Sequence, residues 1–294
     1  MAGPPKIVIG ICAYNEEKNI GHILRNLVSE QGLPKTCKIL VVCSGCTDRT
    51  PQVVKKFQAE DSRIEPIFEE RRTGKANALN KIFRIARESE DVLVLVNADA
   101  LPRGGSVMTL VSELERSDAG AVFAQPVPFE GFHGACYGIV RVIWRLHHMI
   151  SLRQMPKLSG ELCAIRASCL QEIPGNVATD EPYIELAIRR QGYRILYVPV
   201  ALVNIRCPTN VVDLLKQRRR IWVGHIQLQN ETGFKVSTTS FSNILKVASE
   251  LRPTEILYLS LGVFLEAIAY FQAKMDVRKD SIPFAWEPIG STKT

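Results

Sequence analysis

The first half of the chain alternates short apolar runs with stretches that carry apolar residues at helical spacing. The runs are continuous and rich in Val and Ile, which is typical of strands buried on both faces. The stretches between them place apolar side chains three or four positions apart, as a helix packed on a sheet requires. This order predicts an α/β fold with a mostly parallel sheet and helices on both faces. We expect strands at 6–12, 38–43, 64–68 and 91–97, and helices at 19–27, 50–57 and 73–86.

The second half of the chain is less regular. The stretch 133–153 interleaves basic and apolar residues around Trp144, which is typical of a basic amphipathic helix. Two interpretations stay open for it: a surface helix over the core, or a helix that faces a membrane. The remaining patterns predict helices at 106–114 and 180–191 and strands at 120–125, 160–166 and 193–203.

Beyond the last predicted strand the pattern changes again. Residues 216–222 form a dense basic run that ends in Trp222, and 256–271 is strongly apolar with Glu266 inside it. The apolar run is shorter than the roughly 20 residues of a membrane-spanning helix, so an amphipathic or re-entrant membrane segment, or a helix for a partner, fits it better. We predict a catalytic domain at 1–206, a basic and apolar membrane-associated region at 207–294, and a loosely held tail at 274–294.

Composition and charge narrow the class of protein. The chain has 294 residues, of which 46% are hydrophobic and 23% charged, and this excludes a disordered or fibrous protein. A net charge of +7 favours phosphates, anionic lipid or nucleic acid as partners, without choosing among them. The eight scattered cysteines and the absence of a signal-peptide pattern at the start predict a protein that faces the reducing cytosol.

Candidate chemistry follows four of the predicted strands directly. It comprises the loop that starts at Ala13, Asp48, the pair Gly74 and Lys75, and Asp99. In an open parallel sheet ligands bind at the carboxyl ends of the strands, so these residues should converge. The carboxylates of Glu16 and Asp48 can accept hydrogen bonds from a base or ribose, Lys75 suits phosphate, and Asp99 suits magnesium or manganese. Together they predict a site for a nucleoside diphosphate.

Each of these features has a structural alternative. Asp48 precedes Arg49 and Thr50 and could cap the helix that starts there. Residues 97–99 could form an ordinary turn at the end of a strand. The Gly74–Lys75 pair lacks the spacing of a P-loop or of a dinucleotide-binding loop, so neither of those folds is expected.

The ordered set of motifs resembles the family 2 glycosyltransferases of the GT-A fold, from about residue 7 to 222. Residues 12–20, 46–50 and 74–80 look like three loops with which that family binds its nucleotide, and the first of these loops contains Ala13, Tyr14 and Glu16. Asn97-Ala-Asp99 lies where the family has its DxD motif. The resemblance therefore implies that Asp99 holds a Mg²⁺ or Mn²⁺ ion, whereas Asn97 could bind ribose but brings no charge.

A pair of acids is similar to the segment that carries the family's catalytic base. Glu181 falls on the usual acidic position and Asp180 on the preceding one. A carboxylate there would take the proton from an acceptor hydroxyl in a one-step displacement that inverts configuration. A phosphate acceptor would need no base. The alternative role for both acids is to stabilise the first turn of a helix.

The basic run resembles the QxxRW motif of membrane-bound members of the family. Gln217 and Arg220 match it, whereas Ile221 stands where Trp is expected and Trp222 follows. The resemblance implies that Gln217 contacts the donor, that Arg220 neutralises the leaving diphosphate and that Trp222 contacts the acceptor. Without the other motifs, three consecutive arginines would indicate a solvated or lipid-facing patch. The strand that follows Gly160 and Glu161 resembles the family's acceptor-side strand.

These observations predict an inverting glycosyltransferase that uses a nucleotide-diphosphate sugar, with UDP the expected nucleotide. The acceptor is expected to be a lipid or membrane-held molecule at the cytosolic face of the membrane, to which the protein would attach peripherally or monotopically. No nucleic-acid partner is expected. Two alternatives are a nucleotide-sugar pyrophosphorylase and a basic module that binds anionic lipid or nucleic acid through a degenerate nucleotide site.

Overall fold

The computed structural model describes residues 4–131, 133–153, 156–236, 247, 249–279, 287 and 289–293. Within them the chain forms an eight-stranded sheet in the order β3-β2-β1-β4-β7-β6-β8-β5. The strands are β1 (Ile7–Ala13), β2 (Lys38–Ser44), β3 (Ile64–Glu69), β4 (Val92–Val96), β5 (Ala100–Pro102), β6 (Ala121–Pro128), β7 (Leu162–Arg166) and β8 (Ile195–Ile205).

The sheet is mostly parallel, as the continuous apolar runs predict. Strands β1 to β4 pair in parallel, and so do β6 and β8. Strand β7 enters between β4 and β6 antiparallel to both, and the short β5 pairs antiparallel with β8 at the edge. The antiparallel direction of β7 has no counterpart in the sequence pattern, because a strand buried on both faces has the same apolar run in either direction.

Helices cover both faces of the sheet. Ile7, Ile9 and Ile11 face a core layer that includes side chains of α1, α2 and α4, whereas Val8 faces a layer that includes side chains of α3 and α6. The helices are α1 (Ile20–Glu30), α2 (Thr50–Glu60), α3 (Lys75–Ser89), α4 (Ser106–Arg116), α5 (Ala135–Leu152), α6 (Glu181–Arg190), α7 (Val211–Thr232) and α8 (Pro253–Arg278).

Helix α5 is the predicted basic amphipathic helix, and it packs against β6 and α8. Trp144 is half-buried against the core and lies edge-on to His147 at 5.3 Å between ring centroids. Arg145 forms an ion pair with Glu255 of α8. The structure therefore favours the surface-helix interpretation of this stretch, because its aromatic anchor points into the protein.

Helix α8 extends beyond the apolar run at both ends. Its first turn is stabilised by the backbone N–H of Arg252, which donates to the Glu255 carboxylate at 2.8 Å. Its last turns continue because Ala273 and Asp276 are buried against the rest of the protein. At 26 residues, α8 meets the length and composition of a membrane-crossing helix, and within the described residues no other helix does. The expectation that this segment is too short to span a membrane is therefore wrong on length.

The tail is more ordered than predicted where the structure describes it. Residues 274–278 belong to α8, and 289–293 pack near the start of α1 and the start of α7. The rest of the expected tail, at 280–286, 288 and 294, lies outside the described residues. The boundary at 206 between two domains stays a prediction.

Candidate functional site

The predicted convergence occurs at the carboxyl edge of β1, β2 and β4. At its centre is a cluster that we call the central cluster, formed by Lys75, Asn97, Glu161, Asp180 and Glu181. The Lys75 ammonium lies 3.0 Å from Asp180 Oδ2 and 3.8 Å from Glu181 Oε1, and it donates to Asn97 Oδ1 at 3.1 Å. Residues more than 100 positions apart thus meet around one lysine.

Lys75 keeps its charge in this cluster although it is enclosed. Burial by itself would lower the pKa of Lys75, but the carboxylates of Asp180 and Glu181 outweigh burial and raise the pKa above the ordinary value. Lys75 begins α3, directly after Gly74, whose φ of +91° suits glycine. The loop therefore delivers a fixed positive charge to the centre of the site.

Asn97 joins two sides of the cluster through its amide. Its oxygen accepts from Lys75, and its Nδ2 donates to Glu161 Oε2 at 2.9 Å. An aspartate at position 97 could accept from the lysine but could not donate to Glu161. The asparagine that departs from the DxD pattern therefore has a structural role here.

Glu161 and Asp99 form the acidic side of the site. Burial, with a further contribution from the charge of Asp99, raises the pKa of Glu161 from 4.5 to about 7. The charge of Asp99 also acts on Glu16, so Asp99 lies within electrostatic reach of both carboxylates. Two carboxylates within electrostatic reach of each other are suited to one divalent cation, which would complete its shell with phosphate and water. Among the described residues there is no group of three or more acidic, His or Cys side chains that could hold a metal without such help.

Glu181 lies against the backbone at Gly160, two residues before β7 begins. A Cβ atom on Gly160 would overlap the Glu181 carboxyl group, so only glycine leaves room for it there. Burial by itself would raise the pKa of Glu181, but the charges of Lys75 and Lys157 outweigh burial and lower the pKa. Glu181 is therefore held ionised and in a fixed position, which a proton acceptor requires.

The loop between β1 and α1, residues 14–19, forms the second part of the site. Asn15 exchanges hydrogen bonds with Thr47, and the Glu16 N–H donates to Thr50 Oγ1 at 2.7 Å. Asp48 accepts the backbone N–H groups of Glu17 and Thr50 at 3.0 and 2.9 Å. The N-cap residue of α2 is Arg49 and not Asp48, but the Asp48 carboxylate still accepts the first helical N–H from one position earlier and also fixes the β1–α1 loop.

The remaining predicted residues differ in their position. Ala13 is buried at the end of β1. Arg220 donates to the Ala178 carbonyl at 3.1 Å, and its charge acts on Lys75 and both acids beside it. Gln217 is half-buried one turn earlier on α7.

Trp222 points away from the cluster: its indole N–H donates to Glu266 of α8 at 2.6 Å. Contact of Trp222 with an acceptor stays a prediction.

The other two arginines of the basic run pair with α8. Arg218 Nε lies 2.5 Å from Glu266, and Arg219 makes a two-point contact with Asp276 at 2.6 Å for both bonds. The run is therefore not the solvated or lipid-facing patch that three arginines would indicate alone. Successive helical residues differ by about 100° in direction, so the three arginines cannot share one surface.

Three further residues belong to the site without a clear signal in the sequence. The Arg72 guanidinium lies over the Tyr14 ring at 3.8 Å from its centroid. Lys157 is close enough to Glu181 and Glu161 for its charge to act on both. Lys293 contacts the β1–α1 loop. Arg72 lies two residues before the motif at 74–80, and this position is the one sequence feature that indicates it. Lys157 and Lys293 lie in segments without a motif.

Comparisons with known proteins agree with this architecture. The profile of the family described as Glycosyl transferase family 2 matches residues 8–167, which is more than half of the chain. Poly-beta-1,6-N-acetyl-D-glucosamine synthase of Staphylococcus aureus is 23% identical over 244 residues, which cover 79% of this chain and 57% of that protein. The chain spans about half, or less, of the length of the curated relatives it matches.

Solved structures share the fold at low sequence identity. A mannosyltransferase of Pyrobaculum calidifontis in complex with GDP-Man and Mn²⁺ superposes with a TM-score of 0.69 and 19% identity, covering 94% of this chain and 88% of that one. S. aureus TarS 1-349 in complex with UDP-GlcNAc gives a TM-score of 0.54 and 16% identity, covering 94% and 92%. The order of the loops along the chain, the mixed sheet and the family profile lead to one conclusion: the chain belongs to glycosyl transferase family 2 and has the GT-A fold.

Proposed function

We propose that the protein transfers a sugar, with inversion, from a nucleotide-diphosphate sugar to a lipid or membrane-held acceptor. The observation that carries this proposal is the central cluster, where an ionised carboxylate and a fixed lysine lie side by side at the carboxyl edge of the sheet. Acceptor activation and neutralisation of a leaving diphosphate are the two tasks of such a displacement.

In the proposed reaction Glu181 acts as the general base. Its carboxylate takes the proton of the acceptor hydroxyl while the acceptor oxygen forms a bond to the anomeric carbon. The bond from that carbon to the diphosphate breaks on the opposite face, and the electron pair leaves with the nucleoside diphosphate. The lowered pKa of Glu181, which Lys75 and Lys157 maintain against burial, keeps this carboxylate ready to accept the proton at neutral pH.

Positive charge for the leaving group would come from Lys75 and Arg220. Lys75 is held by Asp180 and Asn97, and Arg220 is anchored on the Ala178 carbonyl, so both charges are positioned before a donor binds. Charges that need no rearrangement stabilise a developing anion most effectively. Asp180 then serves to hold Lys75 rather than to accept the acceptor's proton.

A divalent cation fits the acidic side of the site. Asp99 and Glu161, which lie within electrostatic reach of each other, would hold Mg²⁺ or Mn²⁺ through their carboxylate oxygens. When bound, the ion would neutralise charge on the donor diphosphate. The mannosyltransferase with the same fold, which contains Mn²⁺, supports this assignment by analogy of fold.

The membrane part of the proposal rests on α8. Leu257, Leu261, Phe264, Phe271 and Met275 follow a spacing of three, four or seven residues and lie on one face of the helix. All five are exposed, Phe264 at 65% and Phe271 at 68% of their surface. An exposed apolar stripe of this length is suited to insertion into the membrane surface. We place the protein at the cytosolic face because none of its eight cysteines, all within the described residues, forms a disulfide.

The two alternatives have weaker support. The family profile that matches residues 8–167 is one of glycosyl transferases, which favours sugar transfer over a pyrophosphorylase reaction. A module that binds polyanions through the basic run would need those charges at the surface, but Arg218 and Arg219 are paired with α8.

Calorimetric titration with UDP and with GDP, each with and without Mn²⁺, tests the donor site. We expect micromolar binding of UDP that depends on the metal. Asp99→Ala should weaken this binding at least tenfold, since a principal ligand of the ion is lost. Asp118→Ala, which removes an exposed aspartate that pairs with Arg194 at the surface, is the matched control.

The outcomes separate the parts of the proposal. Tighter binding of GDP than of UDP would identify GDP as the nucleotide of the donor, and the proposed position of the site would stand. Metal-dependent binding that survives in Asp99→Ala would place the ion elsewhere. Absence of binding by either nucleotide would contradict the donor site as a whole.

A further inference from the structure

The segment 289–293 lies between the β1–α1 loop and the start of α7. The Ser291 N–H donates to Asp213 Oδ2 at 3.0 Å, and the Thr209 N–H donates to the Ser291 hydroxyl at 3.3 Å. Asn19 at the start of α1 donates to the Thr292 carbonyl at 3.5 Å. The segment is thus hydrogen-bonded to both neighbours. Lys293 is its last residue.

The Lys293 ammonium is enclosed by three oxygen atoms of the β1–α1 loop. It donates to the carbonyls of Tyr14 and Asn15 at 2.6 and 2.7 Å and lies 2.8 Å from Glu16 Oε1. An ammonium group has three N–H donors, so the loop uses all of them. Both the ammonium and the Glu16 carboxylate are largely shielded from solvent, with 21% and 11% of the two side chains exposed.

The loop needs such support for two reasons. Asn15 has a φ of +53°, a left-handed conformation that costs free energy for an L-residue, although asparagine adopts it more readily than most. The loop also concentrates negative charge, because Glu16 is within electrostatic reach of Asp99. Burial raises the pKa of Glu16, and the charge of Lys293 opposes this rise. Without the lysine, a buried carboxylate would face an incoming diphosphate with no countercharge.

Lys293 also lines a cavity beside the loop. The cavity has a volume of about 180 Å³ and is bounded by Glu16, Glu17, Asn19, Asp48 and Lys293 together with two other loop residues. It therefore combines the predicted nucleotide-binding acids Glu16 and Asp48 with a lysine more than 240 positions away.

We propose that Lys293 is a positioning residue of the donor site: it holds the β1–α1 loop in its binding conformation and neutralises Glu16, so that a nucleoside diphosphate can bind. This inference rests on the proposed function, in which that loop receives the donor nucleotide. It predicts that segment 289–293 takes part in donor binding although it lies outside the part that matches the family profile.

The first arm of the test measures the loop without any nucleotide. Amide hydrogen exchange of the full chain is compared with that of Lys293→Met, which keeps the length of the side chain and removes its charge. The amides of Glu16 and Glu17, which donate to Thr50 and Asp48, should exchange about tenfold faster or more in the variant. Lys56→Met, an exposed lysine on α2, is the control with the same charge change. Unchanged exchange in Lys293→Met would overturn the positioning role.

The second arm measures binding of UDP with Mn²⁺ by calorimetry. Lys293→Met should raise the Kd about tenfold or more, because charge-assisted hydrogen bonds to the loop are lost. Lys293→Arg should restore part of the affinity. The double variant Glu16→Gln with Lys293→Met should bind better than Lys293→Met alone, since it removes the uncompensated carboxylate.

Tighter binding by Lys293→Met would overturn the proposal, because the lysine would then occupy part of the place of the nucleotide. Wild-type affinity in Lys293→Met, with faster exchange of the loop, would overturn the link to donor binding. If the unaltered chain binds neither UDP nor GDP, the proposed donor site is overturned instead, and the exchange experiment still decides whether Lys293 holds the loop.

Discussion

The carboxyl edge of the sheet and the α7–α8 helix pair both concentrate charged residues, but they use charge differently. At the sheet edge, Lys75, Asp180 and Glu181 face one another around a site that a ligand could enter. Between α7 and α8, Arg218 and Arg219 form ion pairs with Glu266 and Asp276. The first concentration of charge forms the candidate site, and the second joins α7 to α8.

Arg220 lies where these two regions meet. Its neighbour Arg219 points to α8, whereas Arg220 points to the Ala178 carbonyl and the central cluster. A rotation of about 100° between consecutive helical residues separates a structural arginine from a candidate catalytic one. Charge density along a sequence therefore does not identify a binding surface, because the direction of each side chain decides what it can contact.

The largest expected effect comes from Glu181→Gln. Transfer to a hydroxyl acceptor should fall by about 10²- to 10⁴-fold, because glutamine cannot take the proton, while UDP binding stays close to wild type. A transfer assay and a nucleotide titration measure the two. Glu172→Gln, an exposed glutamate that pairs with Arg84, is the control and should keep full activity. Full activity of Glu181→Gln would mean that another group is the base or that the acceptor is already ionised.

Gly160→Ala should reduce kcat by about a hundredfold. The added methyl group would overlap the Glu181 carboxyl group and displace the proposed base, and misplacement by about 1 Å can have an effect of this size. Nucleotide affinity should change little, so the kinetic and binding measurements should diverge. Gly104→Ala, with its nearest neighbour at 3.7 Å and ordinary backbone geometry, is the matched control. An unaffected kcat would show that the position of Glu181 is not critical.

The exposed stripe of α8 predicts a smaller effect, on membrane binding. Phe264→Ser combined with Phe271→Ser should reduce partitioning onto vesicles with anionic lipid about tenfold or more, since two large exposed apolar side chains are lost. Co-flotation with vesicles measures this. Val200→Ser, at an exposed apolar residue of β8, should have no effect. Equal loss in both variants would contradict a specific role of α8.

The smallest effect is expected for Arg219→Met. Loss of the two-point contact with Asp276 should lower the free energy of unfolding by about 1 kcal/mol, because the arginine is partly exposed and solvent screens the pair. Chemical denaturation measures this, and a double-mutant cycle with Asp276→Asn isolates the pair. Arg190→Met, at an exposed arginine of α6, is the control. Transfer activity should persist in Arg219→Met. Loss of that activity would contradict the separation between the central cluster and the α7–α8 ion pairs.

Much of the first half of the fold could be predicted from the sequence. Strands β1 to β4 and the helices between them lie within a few residues of the predicted ranges, because buried parallel strands have continuous apolar runs. The three-residue β5 was missed, since its apolar pattern is too short to stand out. The extent of α8 was underestimated because polar residues at its ends, such as Asp276, belong to a helical face that packs on α7.

The candidate site was predictable in its composition more than in its contacts. The convergence of Lys75 with Asn97 follows from strand order alone. The bridge from Asn97 to Glu161, and the space that Gly160 leaves for Glu181, depend on where β7 enters the sheet. The direction of the Trp222 indole depends on the packing of α8. None of these contacts can be predicted from the local pattern of the sequence, because each joins residues that are far apart in the chain.

The sequence by itself determined the fold class, the family and the set of loops that meet at the carboxyl edge of the sheet. Those properties depend on the order of the elements and on short motifs, which local hydrophobic patterns encode. Only the tertiary structure decided which arginine faces the site, why glycine stands at position 160 and where Lys293 lies. These depend on contacts between distant segments, whose geometry is set by packing of the whole chain.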